Sequence, residues 1–338
     1  MNARERYTAT AGFAEVDRAF LLPPWAWEAT TARWRNEGLS AGESLAESFR
    51  TDTEECFPLA LQGRYGPHLH PPLERKVLSE TREHVVVSDE EGNVVRLMRD
   101  DPLQSMPEWI AYPMKDRGDW EKTIKPRLDA KVPGRCPYGA ELERIVSDDA
   151  CRDVPLGLWC GSFYGWPRSF MGVERISLTF YDDPGLVREM SEHIADFVIE
   201  AISPLLGRIG FDFAYIWEDM AGKAGPLWLE AGVTGLRPFE AAAGCDPVAI
   251  RRRYGRDLVI QGGIDKRALA GTRQGVEREV LRKVPWLSLQ AGYFPQVDHL
   301  VPPDVSLENY AYYSALVRAV VEEPDRFLHE ARRSGAWN

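Results

Sequence analysis

Three acidic side chains, Glu218, Asp265 and Asp298, each close a segment whose pattern reads as a β-strand, and His299 follows the last of them. Strand parity sorts the faces, because successive side chains point to opposite sides. Over 258–265, Leu258, Ile260 and Ile264 make an apolar face that should meet helices, which leaves Val259, Gln261 and Asp265 on the other. Over 294–299, Gln296 and Asp298 share the polar face. Over 212–219, Phe213, Tyr215 and Trp217 lie on one face, with Asp212 and Glu218 on the other. A charge at a buried strand end is costly unless paired. Convergent carboxylates therefore call for a reason. They polarise or position a ligand, cap the helices that follow their strands, or pair with Lys266 or Lys223.

Other residues offer weaker signals. Trp159, Phe163, Tyr164 and Trp166 surround a glycine-containing loop, Cys160-Gly161-Ser162, after a strand-like segment. Such a group can wall a flat apolar ligand or serve as plain core. His68-Leu69-His70 has metal-pair spacing, but no third ligand follows at a suitable distance. Arg168 and Lys223 could meet a ligand carboxylate or be solvated.

The elements that must position these residues alternate regularly from Val154 onward. Strands are expected at Val154–Cys160, Asp212–Glu218, Gly232–Phe239, Leu258–Ile264 and Ala291–Val297. Helices are expected at Asp183–Ile209 (bent at Pro204), Pro247–Tyr254, Gly275–Val284 and Ser306–Glu322. Earlier, helices are expected at Ala3–Phe13, Trp25–Glu37, Gly42–Arg50, Gly118–Leu128 and Gly139–Ser147. A strand is expected at Arg18–Leu22, and a hairpin pairs 84–87 with 94–98 across Asp89–Asn93. Strand-helix alternation over 338 residues predicts one α/β domain spanning 1–338, a TIM-type (β/α) barrel. Residues 1–150 form its helical and hairpin elaboration and first barrel elements, 151–323 its regular units, and 324–338 a tail. No Gly-x-Gly-x-x-Gly follows a strand, so no nucleotide cofactor is expected.

Net charge is −11, a poor match for nucleic acid or an anionic membrane surface. The run Arg251-Arg252-Arg253 falls late in an expected helix, where it complements the dipole at a solvated end. Five cysteines with no Cys-x-x-Cys spacing suit reduced thiols. With a polar start and no long apolar run, the expected location is the cytoplasm.

Several segments resemble the uroporphyrinogen decarboxylase superfamily, in its methyltransferase-like branch. Gly263-Ile264-Asp265-Lys266-Arg267-Ala268-Leu269 is similar to that family's turn after a barrel strand. Asp298-His299-Leu300-Val301-Pro302-Pro303-Asp304-Val305-Ser306, running into Glu308-Asn309-Tyr310, resembles its Asp-His segment. Trp217-Glu218-Asp219-Met220, Pro238-Phe239-Glu240 through Ala243-Gly244, Arg4-Glu5-Arg6, Val16-Asp17-Arg18 and Ser105-Met106-Pro107 also match. The resemblance implies a corrinoid-dependent methyltransferase. It would move a methyl group from a small O-, N- or S-methyl compound to a corrinoid carried by a partner protein. Glu218, Asp298 and His299 would act on the donor, and Trp159, Tyr164, Gln261, Asp265 and Lys266 would bind it. Zinc is the metal implied, with Glu218, Cys160 and His299 as ligands. A homodimer is among the assemblies the resemblance allows.

Three departures qualify the resemblance. The arginine motif that holds a porphyrinogen in true decarboxylases is absent from Val16–Trp25, which argues against haem synthesis; decarboxylation of a tetrapyrrole or small acid is the second reading. The His-x-Cys zinc pair of coenzyme M methyltransferases is also absent. Finally, Lys223–Leu227 runs directly into Trp228–Gly232, where family members insert a further strand-helix unit; this points to a barrel lacking one unit. A third reading is therefore a ligand-binding barrel without catalysis.

Overall fold

The computed structural model describes residues 1–56, 69–100, 106–132, 135, 139–149, 151–218 and 225–335. Strands in chain order are β1 (Glu55–Cys56), β2 (Lys76–Glu80), β3 (His84–Ser88), β4 (Val94–Met98), β5 (Glu108–Ala111), β6 (Leu156–Trp159), β7 (Phe213–Tyr215), β8 (Gly235–Leu236), β9 (Val259–Gln261) and β10 (Tyr293–Phe294). They form two three-stranded parallel sheets, β1-β6-β7 and β10-β9-β8, and one antiparallel sheet, β2-β3-β4-β5. The chain divides into two compact units. One comprises Met1–Glu54, Asp153–Pro155 and Met220–Asn338; the other comprises Glu55–Arg152 and Leu156–Asp219. Among the described residues no helix is long and apolar enough to cross a membrane.

In the unit holding β1–β7, Leu156 and Leu158 turn into a core built with Met190, Ile194, Phe197 and Val198 of the helix Pro184–Ile202. Those helical positions recur every three or four residues, the spacing of one helix face. Asp183 caps the helix through the Leu186 amide at 2.9 Å. The helix stops at Ile202 and does not run bent to Ile209, because Pro204 lacks an N–H and its ring crowds the preceding turn. The hairpin pairs as expected, His84 with Met98 through Ser88 with Val94, and Asp89 fixes its turn by accepting the Glu91 and Asn93 amides. The expected helix Gly118–Leu128 is a helical turn, a π segment and a 3-10 segment in succession, with Pro126 interrupting the amide ladder. Helices at Gly165–Met171 and Val173–Asp182 escaped sequence reading. Gly157 is required by close approach: a Cβ there would lie 2.2 Å from the Phe213 ring across the β6–β7 ladder.

In the other unit, Leu258, Ile260 and Ile264 enter a core with Val276, Val280 and Val284 of the helix Arg273–Gln290. The apolar face expected of β9 is thus the helix-packed face. Pro247–Tyr254 forms the helix expected, but its arginines do not all point to solvent. Arg251 is buried, and its guanidinium donates to the carbonyls of Gly255, Leu258, Ala291 and Gly292. Carbonyls converging where the chain enters β9 and β10 need donors, and one planar fork supplies several. Burial lowers its pKa to about 10, which leaves it charged at neutral pH. The segment Arg18–Leu22 forms no strand; the Leu21 amide donates to Asp52, a carboxylate also held by Arg6 and Arg18. The stretch 324–335 carries the helix Pro324–Ser334, which buries Leu328 and Ala331. Between β7 and β8 the described chain contains one short helix, Gly225–Glu230.

Candidate functional site

Because β8, β9 and β10 are parallel, their carboxyl ends lie at one edge of the sheet, where α/β proteins place their ligands. Three connecting segments meet there, and Asp298 joins them. Its side chain is fully buried. Oδ2 accepts the Ala241 amide at 2.9 Å and Oδ1 the Lys266 amide at 3.1 Å. The Asp298 amide in turn donates to Ile264 O at 2.8 Å. Burial pushes the Asp298 carboxyl above the usual carboxylate range, against the pull of the two amides and the nearby Lys266 charge.

Around this carboxylate stand Glu240, Lys266 and His299. Lys266 Nζ donates to Glu240 Oε1 at 2.6 Å. His299 is half-buried, its ring 5.3 Å from that of Trp25, and desolvation lowers its pKa below the ordinary value of 6.5. It is therefore neutral at pH 7, with one nitrogen donating and one accepting. Below this rim, Gln261 Nε2 donates to Gln296 Oε1 at 2.9 Å, and Gln296 Nε2 reaches Pro23 O at 3.3 Å. Asp265 takes the capping role: its carboxylate accepts the Arg267 amide and guanidinium, and Arg267 holds its pKa down.

The second unit carries the other expected residues. Trp159 of β6 pairs in register with Tyr215 of β7; their rings are 4.4 Å apart and edge-on, and Trp217 follows at 6.0 Å from Trp159. Trp159, Tyr215 and Trp217 thus share the sheet face opposite the leucine core. Glu218 has the other parity and accepts the amides of Phe163 and Tyr164, which pins the loop leading into the helix Gly165–Met171. The Tyr164 ring stacks 6.4 Å from Phe180. The Cys160 thiol lies 3.6 Å from Leu158 O, and burial pushes its pKa up.

Zinc does not fit these donors as they stand. Among the described residues no three His, Cys, Asp or Glu side chains are grouped to hold a metal ion. Asp298 and Glu218 each accept two backbone amides. His70 is described, but its pair partner His68 and the candidate Lys223 lie outside the described residues.

The structure brings Asp298, His299, Lys266 and Gln261 together in one unit, and Glu218, Cys160, Trp159 and Tyr164 in the other. Sequence reasoning left out Glu240 and Trp25. Glu240 was within reach, since it ends the matched Pro238-Phe239-Glu240 segment directly after an expected strand. Trp25 carried no local signal, because the contact that places it spans most of the chain.

No protein-family model matches the chain, and no curated protein matches its sequence. In structure it is similar to a methyltransferase from Methanosarcina mazei, with a TM-score of 0.51 and 12% sequence identity over 94% of this chain and 99% of that one. At that identity the likeness is one of fold.

Proposed function

We propose that this chain is a methyltransferase of the uroporphyrinogen decarboxylase superfamily, a (β/α)-barrel family, and that it transfers a methyl group from a small O-, N- or S-methyl compound to a corrinoid on a partner protein. The motifs around Asp265 and Asp298 support the family, and the fold shared with the Methanosarcina mazei protein supports the reaction class. The observation that carries the reading is the fully buried Asp298 with its raised pKa, beside a neutral His299, at the carboxyl edge of a parallel sheet. Perturbed groups clustered at such an edge mark functional sites.

The corrinoid supplies the methyl acceptor when its carrier docks. The residues of this chain prepare the donor. As the methyl group departs, the atom it leaves gains charge and needs a proton or hydrogen-bond donors. The Lys266 ammonium and the His299 imidazole N–H provide them at the rim. Asp298 keeps Lys266 in place by holding its amide, and it also holds the Glu240–Ala241 segment. Glu240 orients the Lys266 ammonium, and Gln261 contacts the body of the donor. No step requires zinc.

The test is anaerobic incubation of the purified protein with reduced cobalamin and, separately, a methoxyarene, a methylamine and a methyl thioether. Corrin absorbance and the demethylated product are the readouts. Transfer from one donor class, lost in Lys266→Met, is expected. No transfer from any class, with carbon dioxide released from a tetrapyrrole instead, would replace this reading by decarboxylation.

A further inference from the structure

Beneath the rim lies a tier of polar side chains, most of which the reading above does not use. Leu236 pairs with Ile260, and Ile260 with Tyr293. The next position on each strand therefore holds Arg237, Gln261 and Phe294, with Gln296 two residues further on the same face. Leu258, Ile260, Tyr293 and Val297 take the opposite face into the core. Arg237, Gln261 and Gln296 thus share the other face with Phe294, whose ring packs against Tyr7 and Phe20. They precede Glu240, Asp265 and Asp298 by a few residues each, roughly 7–13 Å along the strands.

We propose that Arg237, with Gln261 and Gln296 beside it, is an anion subsite that recognises a carboxylate on the methyl donor; this rests on the function proposed above. A guanidinium presents its N–H groups as a fork that matches a carboxylate through two parallel hydrogen bonds. Arg237 already has a carboxylate partner in Glu54, whose Oε1 stands 3.8 Å from a terminal nitrogen. A tight charge-assisted contact closes to about 2.7–2.9 Å, so a ligand carboxylate can compete with this wider one. Both side chains keep some exposure, 24% for Arg237 and 20% for Glu54. Burial pushes the Glu54 carboxyl up, against the pull of the Arg237 charge. Gln261 and Gln296, bonded to each other, present amide groups at the next two positions of the row, suited to the remaining lone pairs of a bound carboxylate. Glu54 competes with such a ligand and sets a threshold for binding.

Calorimetry without any corrinoid tests this, with 4-methoxybenzoate and its neutral counterpart 4-methoxybenzamide as probes. The wild-type protein should bind the benzoate at least about tenfold more tightly. Arg237→Gln should abolish that preference, Arg237→Lys should lose most of it because the fork is gone, and Glu54→Gln should widen it. Thermal melts confirm that each variant is folded. The proposal is overturned if neither probe binds, if the wild type binds both equally, or if both Arg237 variants keep the preference. A purely structural Arg237–Glu54 pair would lower the melting temperature in all three variants and leave the preference untouched. Methyl transfer does not enter this measurement, so its failure and the failure of the proposed reaction are separate results.

Discussion

The carboxylate of Asp298 and the amide of Lys266 meet at 3.1 Å, so the backbone that carries a rim ammonium is held by a side chain from the neighbouring strand's end. Asp298→Ala leaves that amide and the Ala241 amide without their acceptor, at roughly 1–3 kcal/mol for each. Urea unfolding should register the sum, and methyl transfer should be lost with it. Asp298→Asn separates charge from shape. The native carboxyl titrates above the ordinary value, so the native state holds the proton longer than the unfolded chain. The Asp298 contribution is therefore greatest below the ordinary Asp pKa and declines as pH climbs through the native one. The Asn variant should lack this decline; an unchanged stability–pH curve would contradict the assignment.

His299 titrates in the opposite sense. Its native pKa lies below 6.5, so on acidification the unfolded chain binds a proton first. Its contribution is complete above about pH 6.5 and drains away as pH falls toward the native value. Unfolding measured from pH 7.5 down to 5 should show a shallower loss in His299→Gln than in the wild type.

Gly157→Ala tests the close approach of β6 and β7. The added methyl would overlap the Phe213 ring, and overpacking of this kind costs about 1–3 kcal/mol. A lower thermal midpoint is expected, with Trp159 fluorescence altered because its partner Tyr215 belongs to the same ladder.

Glu218→Gln keeps the shape and removes the charge that two amides share. Hydrogen exchange at Phe163 and Tyr164 should quicken, while amides in the helix Pro184–Ile202 keep their protection. Equal exchange in both proteins would mean that Glu218 does not hold the loop.

Lys266 and Glu240 are partly exposed, so their ion pair contributes little to stability. A double-mutant cycle with Lys266→Met and Glu240→Gln should give a coupling under about 1 kcal/mol in unfolding. The same variants should each reduce methyl transfer at least tenfold. A large stability coupling with intact activity would recast the pair as structural.

Much of this was legible in the residues. The parity of 258–265 put Leu258, Ile260 and Ile264 in the core, and the helix expected at Pro247–Tyr254 forms over those residues. The strand lengths were not legible. Val233, Thr234 and Phe239 all have strand propensity, yet only Gly235–Leu236 forms a strand there, because pairing depends on a partner backbone that local sequence does not describe. Asp265 illustrates a second limit: a carboxylate after a strand reads equally as cap and as ligand, and its contact with Arg267 is not visible in the strand pattern. Arg251 shows a third. In sequence it belongs to a basic run at a helix end, and its burial follows from carbonyls as distant in the chain as Gly292.

That buried arginine has a consequence for how the protein can change. It secures β9 and β10 where they begin, whereas the residues proposed to handle a ligand sit where they end. Substitutions at the rim therefore need not loosen the strands that present it. Ligand preference is free to drift at one end of this sheet while a single charged fork preserves its architecture at the other.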